Sequence, residues 1–234
     1  MRLIENLILK NKIHETYESI TDATKQTGIL ITLNPEWCIT YDNDVTLLDG
    51  LDFSSVIDSV VISGYINFVY KKKYKRITGT DIFEYFLNSS DSKEKIVLWG
   101  ASEEVRKKIE KDYELPNAQN GWSPNLSCTS NEMILEKAKS LPKKSIVFTA
   151  FNLKDGVGLS KLILRNRNDL FFIQVGGAFD TTAGRYKRAP KSLQQYGLEW
   201  LWKIFQDPKR LKRQLFVARY ILLFEIKRFL KIQK

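Results

Sequence analysis

Short apolar segments alternate with helix-forming segments along the chain, and this alternation constrains the fold more than any other feature of the sequence. The apolar segments are rich in β-branched residues and apolar on both faces, which is typical of buried parallel strands. They occupy residues 28–34, 58–63, 95–100, 144–151 and 170–175. This order predicts an α/β fold, with a parallel sheet and helices on both faces.

The segments between these strands predict helices. They cover residues 14–26, 80–88, 102–113, 130–140 and about 157–166, and two of them open with a Ser or Thr cap and an early acid. Because ligands bind beyond the carboxyl ends of the strands in open α/β sheets, residues that follow strands are candidate ligand contacts. These residues are Thr32, Asn34, Ser63, Gly64, Gly100, Asn152, Gly176 and Gly177.

The net charge of +10 is concentrated near the C-terminus. Residues 185–234 contain 14 Lys and Arg against three acids, whereas the remaining residues contain 23 basic and 24 acidic ones. Such asymmetry indicates a polyanionic partner, either a nucleic acid or an anionic membrane. The sequence lacks the distributed basic groove with stacking aromatics that is typical of nucleic-acid-binding proteins, so we expect no nucleic acid partner.

The helical pattern continues from Lys191 to the end, and Asp207-Pro208 divides it in two. The second helix, from about residue 208, gathers its basic residues on one half and its apolar residues on the other. This pattern is typical of a helix in a membrane interface, but a helix packed on the protein with a solvated basic face shows it too. The predicted membrane-binding residues are Lys212, Arg219, Lys227, Arg228 and Lys231. We therefore expect a body of residues 1–190 and a basic, amphipathic helical appendage of residues 191–234.

Composition excludes several classes of protein. Cys38 and Cys128 lie far apart without a CxxC pair, which excludes a zinc ribbon or a disulfide framework. The single histidine, His14, excludes His-rich metal sites and argues against a Ser-His-Asp hydrolase; we expect it to be exposed on a helix. No run reaches the roughly 18 to 20 apolar residues of a spanning helix, and the N-terminus lacks a signal peptide's apolar region. We therefore expect a cytoplasmic protein.

The segment GGAFDTTAGRYKRAPKSLQQYGLEWLWKIFQDPKR, residues 176–210, resembles the WecG/TagA/CpsF family of bacterial glycosyltransferases (glycosyltransferase family 26). It has the family's Gly-Gly-x-Phe-Asp turn, Ala-Gly and Arg-Ala-Pro motifs, Gly-Leu-Glu-Trp-Leu, and a Pro followed by basic residues. TLNPEW (32–37) and KRITGTDIF (75–83) resemble two further family segments in the same order.

The resemblance implies a Rossmann-like α/β fold and an inverting transferase that moves a sugar from a UDP-sugar to a polyprenyl-diphosphate-linked glycan. Such enzymes serve exopolysaccharide, teichoic acid or surface-antigen assembly in the bacterial cell envelope. The resemblance also implies a basic appendage that joins the membrane and helps to complete the active site, without a cofactor or a metal. The expected partners are the donor, the acceptor and an anionic membrane surface on the inner face of the plasma membrane.

The resemblance further implies roles for individual residues. Without a metal, cations or backbone N–H groups must neutralise the departing diphosphate. Each candidate also has a simpler structural interpretation, as a turn, a helix cap or a solvated surface residue. The predicted substrate-binding residues are Asn34, Gly64, Arg76, Lys154, Gly176, Gly177, Asp180, Arg185, Arg188, Arg210 and Arg213.

Two segments depart from the family pattern. The family carries Asp-Gly after its second strand, and this Asp is the expected base, but the matching position here is Ser63-Gly64. A serine with its ordinary pKa cannot act as a base near neutral pH. Asp49-Gly50 repeats the dipeptide in an acidic loop, and Asp58 is interpreted as a residue at an element boundary. The family's Gly-x-Pro-Lys-Gln-Glu segment is AFNLKDG (150–156) here.

Thr32 and Ser63 are therefore the predicted catalytic positions, with the base unassigned. Two alternatives stay open. In the first, the chain is an active transferase with a rearranged base. In the second, it is a catalytically inactive relative that binds nucleotide or a partner glycosyltransferase.

Overall fold

The computed structural model describes residues 2–232, with the side chains of all these residues except Arg213 and residues 223–232. Its sheet has five strands, all parallel, in the order β2-β1-β5-β4-β3. The strands are β1 (Gly28–Leu33), β2 (Phe53–Ile57), β3 (Ile96–Gly100), β4 (Ile146–Ala150) and β5 (Phe171–Gln174). The predicted α/β fold with a Rossmann-like parallel sheet is confirmed.

Helices cover both faces of this sheet, as predicted. In chain order they are α1 (Arg2–Leu9), α2 (Tyr17–Ala23), α3 (Pro35–Asn43), α4 (Val60–Tyr70), α5 (Gly79–Asn88), α6 (Ser90–Lys93), α7 (Glu103–Asp112), α8 (Asn131–Lys139), α9 (Leu153–Leu164), α10 (Ala178–Thr182), α11 (Lys191–Gln195), α12 (Glu199–Gln206) and α13 (Arg210–Ile232). Buried side chains of α1, α3, α4, α8 and α9 pack in one layer of the core. Those of α2, α5, α7 and α10 pack in the other.

The strand order places a crevice between β1 and β5. The chain leaves β1 for α3 on one face of the sheet and leaves β5 for α10 on the other. Neighbouring strands that send the chain to opposite faces leave an opening at their carboxyl ends, where ligands bind in open α/β sheets. The hydroxyl of Thr32 in β1 donates to the carbonyl of Gln174 in β5 at 3.0 Å and links the two strands at this point.

The predicted strand at residues 58–63 is wrong. The second strand lies earlier, at Phe53–Ile57, and the apolar run that follows it forms helix α4. The side chain of Ser59 caps this helix by accepting from the N–H of Val61 at 3.2 Å. The error has a physical cause: β2 lies at the edge of the sheet and its first residues are only half-buried, so it lacks the two-sided apolar pattern of a central strand.

His14 also differs from its prediction. It precedes α2 and is half-buried, and its backbone N–H donates to the carbonyl of Ser55 at 2.7 Å, so it lies beside the edge strand and not on an exposed helix. Burial is the main cause that lowers the pKa of this imidazole, and Lys12 adds to the effect.

The segment from Lys191 onward forms α11, α12 and α13, as its helical pattern predicts. Its contacts with the body lie on more than one helix. The hydroxyl of Tyr220 in α13 donates to the carboxylate of Asp42 at 2.7 Å, and Gly197 lies against Val60 of α4. Within the described residues, none of the helices combines the length and the apolar character needed to cross a membrane.

Candidate functional site

Asp58 is the residue that follows the edge strand β2, at the carboxyl edge of the sheet. Its N–H donates to the carbonyl of Leu33 at 3.1 Å, and its Oδ1 accepts from the N–H of Gly79 at 3.2 Å. The first bond extends the pairing of β2 with β1, and the second joins the carboxylate to the N-terminus of α5. Asp58 is thereby held next to the crevice.

Gly79 allows α5 to begin directly above the strand ends. A Cβ at this position would lie 3.1 Å from the carbonyl oxygen of Val175 and 3.3 Å from Cγ2 of Thr32. Both contacts are tighter than ordinary van der Waals distance, so a side chain would push the helix away from β1 and β5. A capping box between Thr78 and Asp81 fixes this helix start, because each side chain accepts from the other's backbone N–H at 3.1 Å.

The environment of Asp58 raises the pKa of its carboxyl to about 6. Burial is the largest cause, because the charged form loses its hydration. Lys203 of α12, the N–H of Gly79 and Arg76 act in the opposite direction, and Glu199 adds to the rise. A carboxylate with a pKa of about 6 is ionised at neutral pH and still basic enough to accept a proton from a reacting hydroxyl.

Arg76, a predicted phosphate ligand, has its guanidinium engaged by the appendage. It donates to Oε2 of Glu199 at 3.0 Å, to the carbonyl of Gln194 at 2.6 Å, and to the carbonyl of Asp58 at 3.4 Å. The ion pair with Glu199 is partly buried, so solvent screens it less than a surface pair. Arg76 thus ties α11 and α12 to Asp58.

The other predicted substrate-binding arginines with described side chains are each paired with an acid. Arg188 forms ion pairs with Asp81 and Glu84 of α5. Arg185 is exposed and lies 3.4 Å from the carboxylate of Asp180.

Arg210, at the start of α13, is also paired with an acid. It pairs with Asp207 at 3.3 Å and lies over the ring of Tyr186, 4.8 Å from the ring centroid. The acids that hold these arginines would have to release them, or share them, for a diphosphate to bind there.

Gly176 and Gly177 lie at the end of β5, on the open side of the crevice. Both are exposed, and no atom lies within 4 Å of a Cβ placed on either. Gly176 has φ +51, a left-handed conformation that favours glycine. The backbone is therefore open to close approach by a ligand, which is the property that the predicted role requires.

The remaining predicted residues are spread around this edge. Thr32 is buried and its hydroxyl is engaged, while Asn34 caps α3 by accepting from the N–H groups of Glu36 and Trp37. Ser63 and Gly64 lie in the second turn of α4, and so no longer follow a strand. Lys154 is exposed in the first turn of α9.

The predicted membrane-binding residues fall partly within the described region. Lys212 and Arg219 are exposed on α13. The side chains of Lys227, Arg228 and Lys231, together with that of the predicted substrate ligand Arg213, lie outside the described residues. Among the residues whose side chains the structure describes, no three or more His, Cys, Asp or Glu form a group that could hold a metal ion.

Sequence reasoning missed the arrangement around Asp58. Gln194, Glu199 and Lys203 were not singled out, because their contacts with the body join residues more than 100 positions apart. One local signal for Asp58 was present. Asp58-Ser59 before an apolar run is a helix-start pattern, and it indicates that the strand ends before residue 58.

Two comparisons with known proteins each match most of the chain. A sequence profile described as the Glycosyl transferase WecG/TagA/CpsF family matches residues 2–233. A protein of Bacillus subtilis (strain 168), named N-acetylglucosaminyldiphosphoundecaprenol N-acetyl-beta-D-mannosaminyltransferase, is 29% identical over 207 residues. The similarity covers 83% of this chain and 78% of that protein.

Proposed function

Because the chain belongs to the glycosyl transferase WecG/TagA/CpsF family, we propose that it moves a sugar from a UDP-sugar to a polyprenyl-diphosphate-linked acceptor at a membrane surface. The family makes the chain a glycosyltransferase. The name of the Bacillus subtilis protein describes transfer onto a lipid-linked N-acetylglucosaminyl diphosphate, which supports this class of acceptor.

The observation that carries the proposal is the carboxylate of Asp58 at the carboxyl edge of the sheet, with its pKa raised to about 6. Asp58 takes the proton from the acceptor hydroxyl as its oxygen attacks the anomeric carbon of the donor. The bond between that carbon and the diphosphate breaks, and UDP leaves with the electron pair. Asp58 thus replaces Ser63 as the residue expected in the base position, because the strand ends at Ile57.

The departing diphosphate gains negative charge and needs donors close to it. The exposed backbone at Gly176 and Gly177 offers N–H groups without a side chain in the way. Arg185 is the most exposed of the paired arginines with described side chains, and its link to Asp180 is long at 3.4 Å. Exposed ion pairs contribute about 0–1 kcal/mol, so Arg185 exchanges its partner for a phosphate at little cost.

The appendage supports the location at a membrane. On α13, the basic residues Lys212 and Arg219 are exposed together with large apolar side chains, among them Leu215 and Phe216. Each basic residue near an anionic leaflet contributes about 1 kcal/mol. Several such residues along one exposed helix are enough for peripheral binding before any apolar side chain enters the lipid.

The test is release of UDP from a panel of UDP-sugars by the purified protein, with a lipid-diphosphate acceptor in anionic vesicles. We expect release that requires the acceptor and is lost in Asp58→Asn. If Asp58→Asn releases UDP at the rate of the unchanged protein, the assignment of the base is wrong. If the panel yields neither turnover nor UDP binding, the proposed UDP-sugar donor is wrong. Binding of UDP without turnover would favour the inactive alternative, with a partner glycosyltransferase.

A further inference from the structure

Helix α4 exposes a face without a charged side chain. Its outward positions follow one helical stripe at residues 60, 61, 64, 67 and 68, and all are exposed. Val60, Val61 and Phe68 are 39%, 44% and 71% exposed. The helix sequence, VVISGYINFVY, contains neither an acid nor a base anywhere along its length.

Helix α7 of the same chain shows how an ordinary surface helix is built. It has almost the same length as α4, and its buried and exposed positions follow the same helical periodicity. The exposed positions of α7 are Glu103, Glu104, Lys107, Lys108, Lys111 and Asp112, and every one is charged. A helix on the protein surface normally presents such a face to water. The outward face of α4 lacks this character, which indicates a surface that is covered when the protein functions.

Several lysines follow α4 directly in the sequence. Lys71, Lys72, Lys73 and Lys75 are exposed, and the residues from 59 to 80 include no acid. The ammonium of Lys71 lies 5.2 Å from the centroid of the Phe68 ring, so the apolar stripe and the lysines form one continuous surface. One acid contacts this segment, since Glu15 accepts from the backbone N–H of Lys75 at 3.0 Å.

The appendage adjoins the N-terminal end of α4. A Cβ on Gly197 would lie 2.6 Å from the Cβ of Val60, which brings the turn between α11 and α12 into direct contact with this helix. Tyr196 and Trp200, on either side of that turn, are exposed large side chains. The apolar stripe of α4 thus continues into the exposed aromatic residues of the appendage.

We propose that the outward face of α4 and Lys71–Lys75 form a second contact with an anionic lipid surface, beside the appendage. The combination of exposed apolar side chains with flanking lysines and tyrosines matches the chemistry of a membrane interface. The inference rests on the membrane location in the proposed function. It adds that the body itself, and not the appendage alone, faces the lipid, with Asp58 directly before the N-cap of α4.

The experiment compares Phe68→Glu with Met133→Glu in vesicle sedimentation. Met133 is 56% exposed on α8, near the opposite edge of the sheet, so the two variants place the same charge on an exposed apolar position. With phosphatidylglycerol–phosphatidylcholine vesicles, we expect Phe68→Glu to weaken binding by roughly tenfold or more, since a large apolar side chain no longer leaves water. Met133→Glu should bind as the unchanged protein does.

Two further measurements keep the outcome decisive. Phe68→Ala should weaken vesicle binding to a smaller extent, and UDP binding should be the same in all variants. Equal vesicle binding by Phe68→Glu and the unchanged protein overturns the inference while leaving the proposed function intact. A dimer in light scattering that Phe68→Glu converts to a monomer, with vesicle binding unaltered, would identify a second copy as the occupant. Failure of the unchanged protein to bind vesicles overturns both the inference and the membrane location.

Discussion

Replacing Asp58 by Asn should remove catalysis and stabilise the fold at the same time. Asn keeps the size of the side chain and an oxygen that accepts from the N–H of Gly79, but it carries no charge. The folded protein raises the pKa of Asp58 from its ordinary value of 3.8 to about 6. A difference of about two units corresponds to about 3 kcal/mol, which is the cost of holding the ionised carboxylate in this environment.

The direction in which stability changes with pH follows from how tightly the folded and unfolded states bind this proton. Because the folded state binds the proton more tightly, Asp58 does not destabilise the protein at a pH below its unfolded pKa. As the pH rises from 3.8 to about 6, the unfolded chain releases this proton while the folded state still retains it, so the free energy of unfolding falls, and it levels off above about pH 6. Asn does not ionise. We therefore expect Asp58→Asn to match the unchanged protein near pH 4 and to exceed it by about 1–3 kcal/mol at pH 7.5.

Urea unfolding followed by tryptophan fluorescence, at several pH values between 4 and 7.5, measures this difference. Asp49→Asn is the matched control, because Asp49 is exposed in a loop and its substitution should change stability by less than about 0.5 kcal/mol. Equal or lower stability of Asp58→Asn at pH 7.5 would show that the carboxylate is well solvated or well paired. The pKa of Asp58 would then not be raised, and Asp58 would not be a tuned base.

Three further outcomes follow from the contacts of the appendage. A double-mutant cycle with Arg76→Met and Glu199→Gln should give a coupling of about 1–3 kcal/mol in urea unfolding, and additive effects would contradict the pair. Gly197→Ala should lower the free energy of unfolding by about 1–3 kcal/mol. The φ of Gly197 is +70, and the new Cβ would clash with Val60, the first residue of α4. Unaltered stability would refute this contact. Lys203→Met should shift the acidic limb of the pH–activity profile to higher pH, because Lys203 lowers the pKa of Asp58, whereas an unmoved limb would separate the two groups.

The sequence alone determined the class of fold. Four of the five strands lie within about two residues of their predicted positions, namely β1, β3, β4 and β5. These strands are apolar on both faces and are bounded by turn residues. Because both faces of such a strand are buried, its sequence is a continuous apolar run, and this local pattern is enough to predict it. The segment at residues 176–210 likewise indicated the family by itself, since its motif is contiguous along the chain.

The tertiary structure decided where the reactive carboxylate lies. Edge strand β2 begins with the half-buried Phe53 and Ser54 and pairs with β1, and its position depends on that partner more than on its own pattern. Asp58 reaches the carboxyl edge of the sheet only because β2 ends at Ile57, and burial in the folded protein is the main cause that raises its pKa. The pairing of Arg76 with Glu199 joins residues 123 positions apart. No periodicity along the chain encodes such a contact, because it depends on how separate elements pack in space.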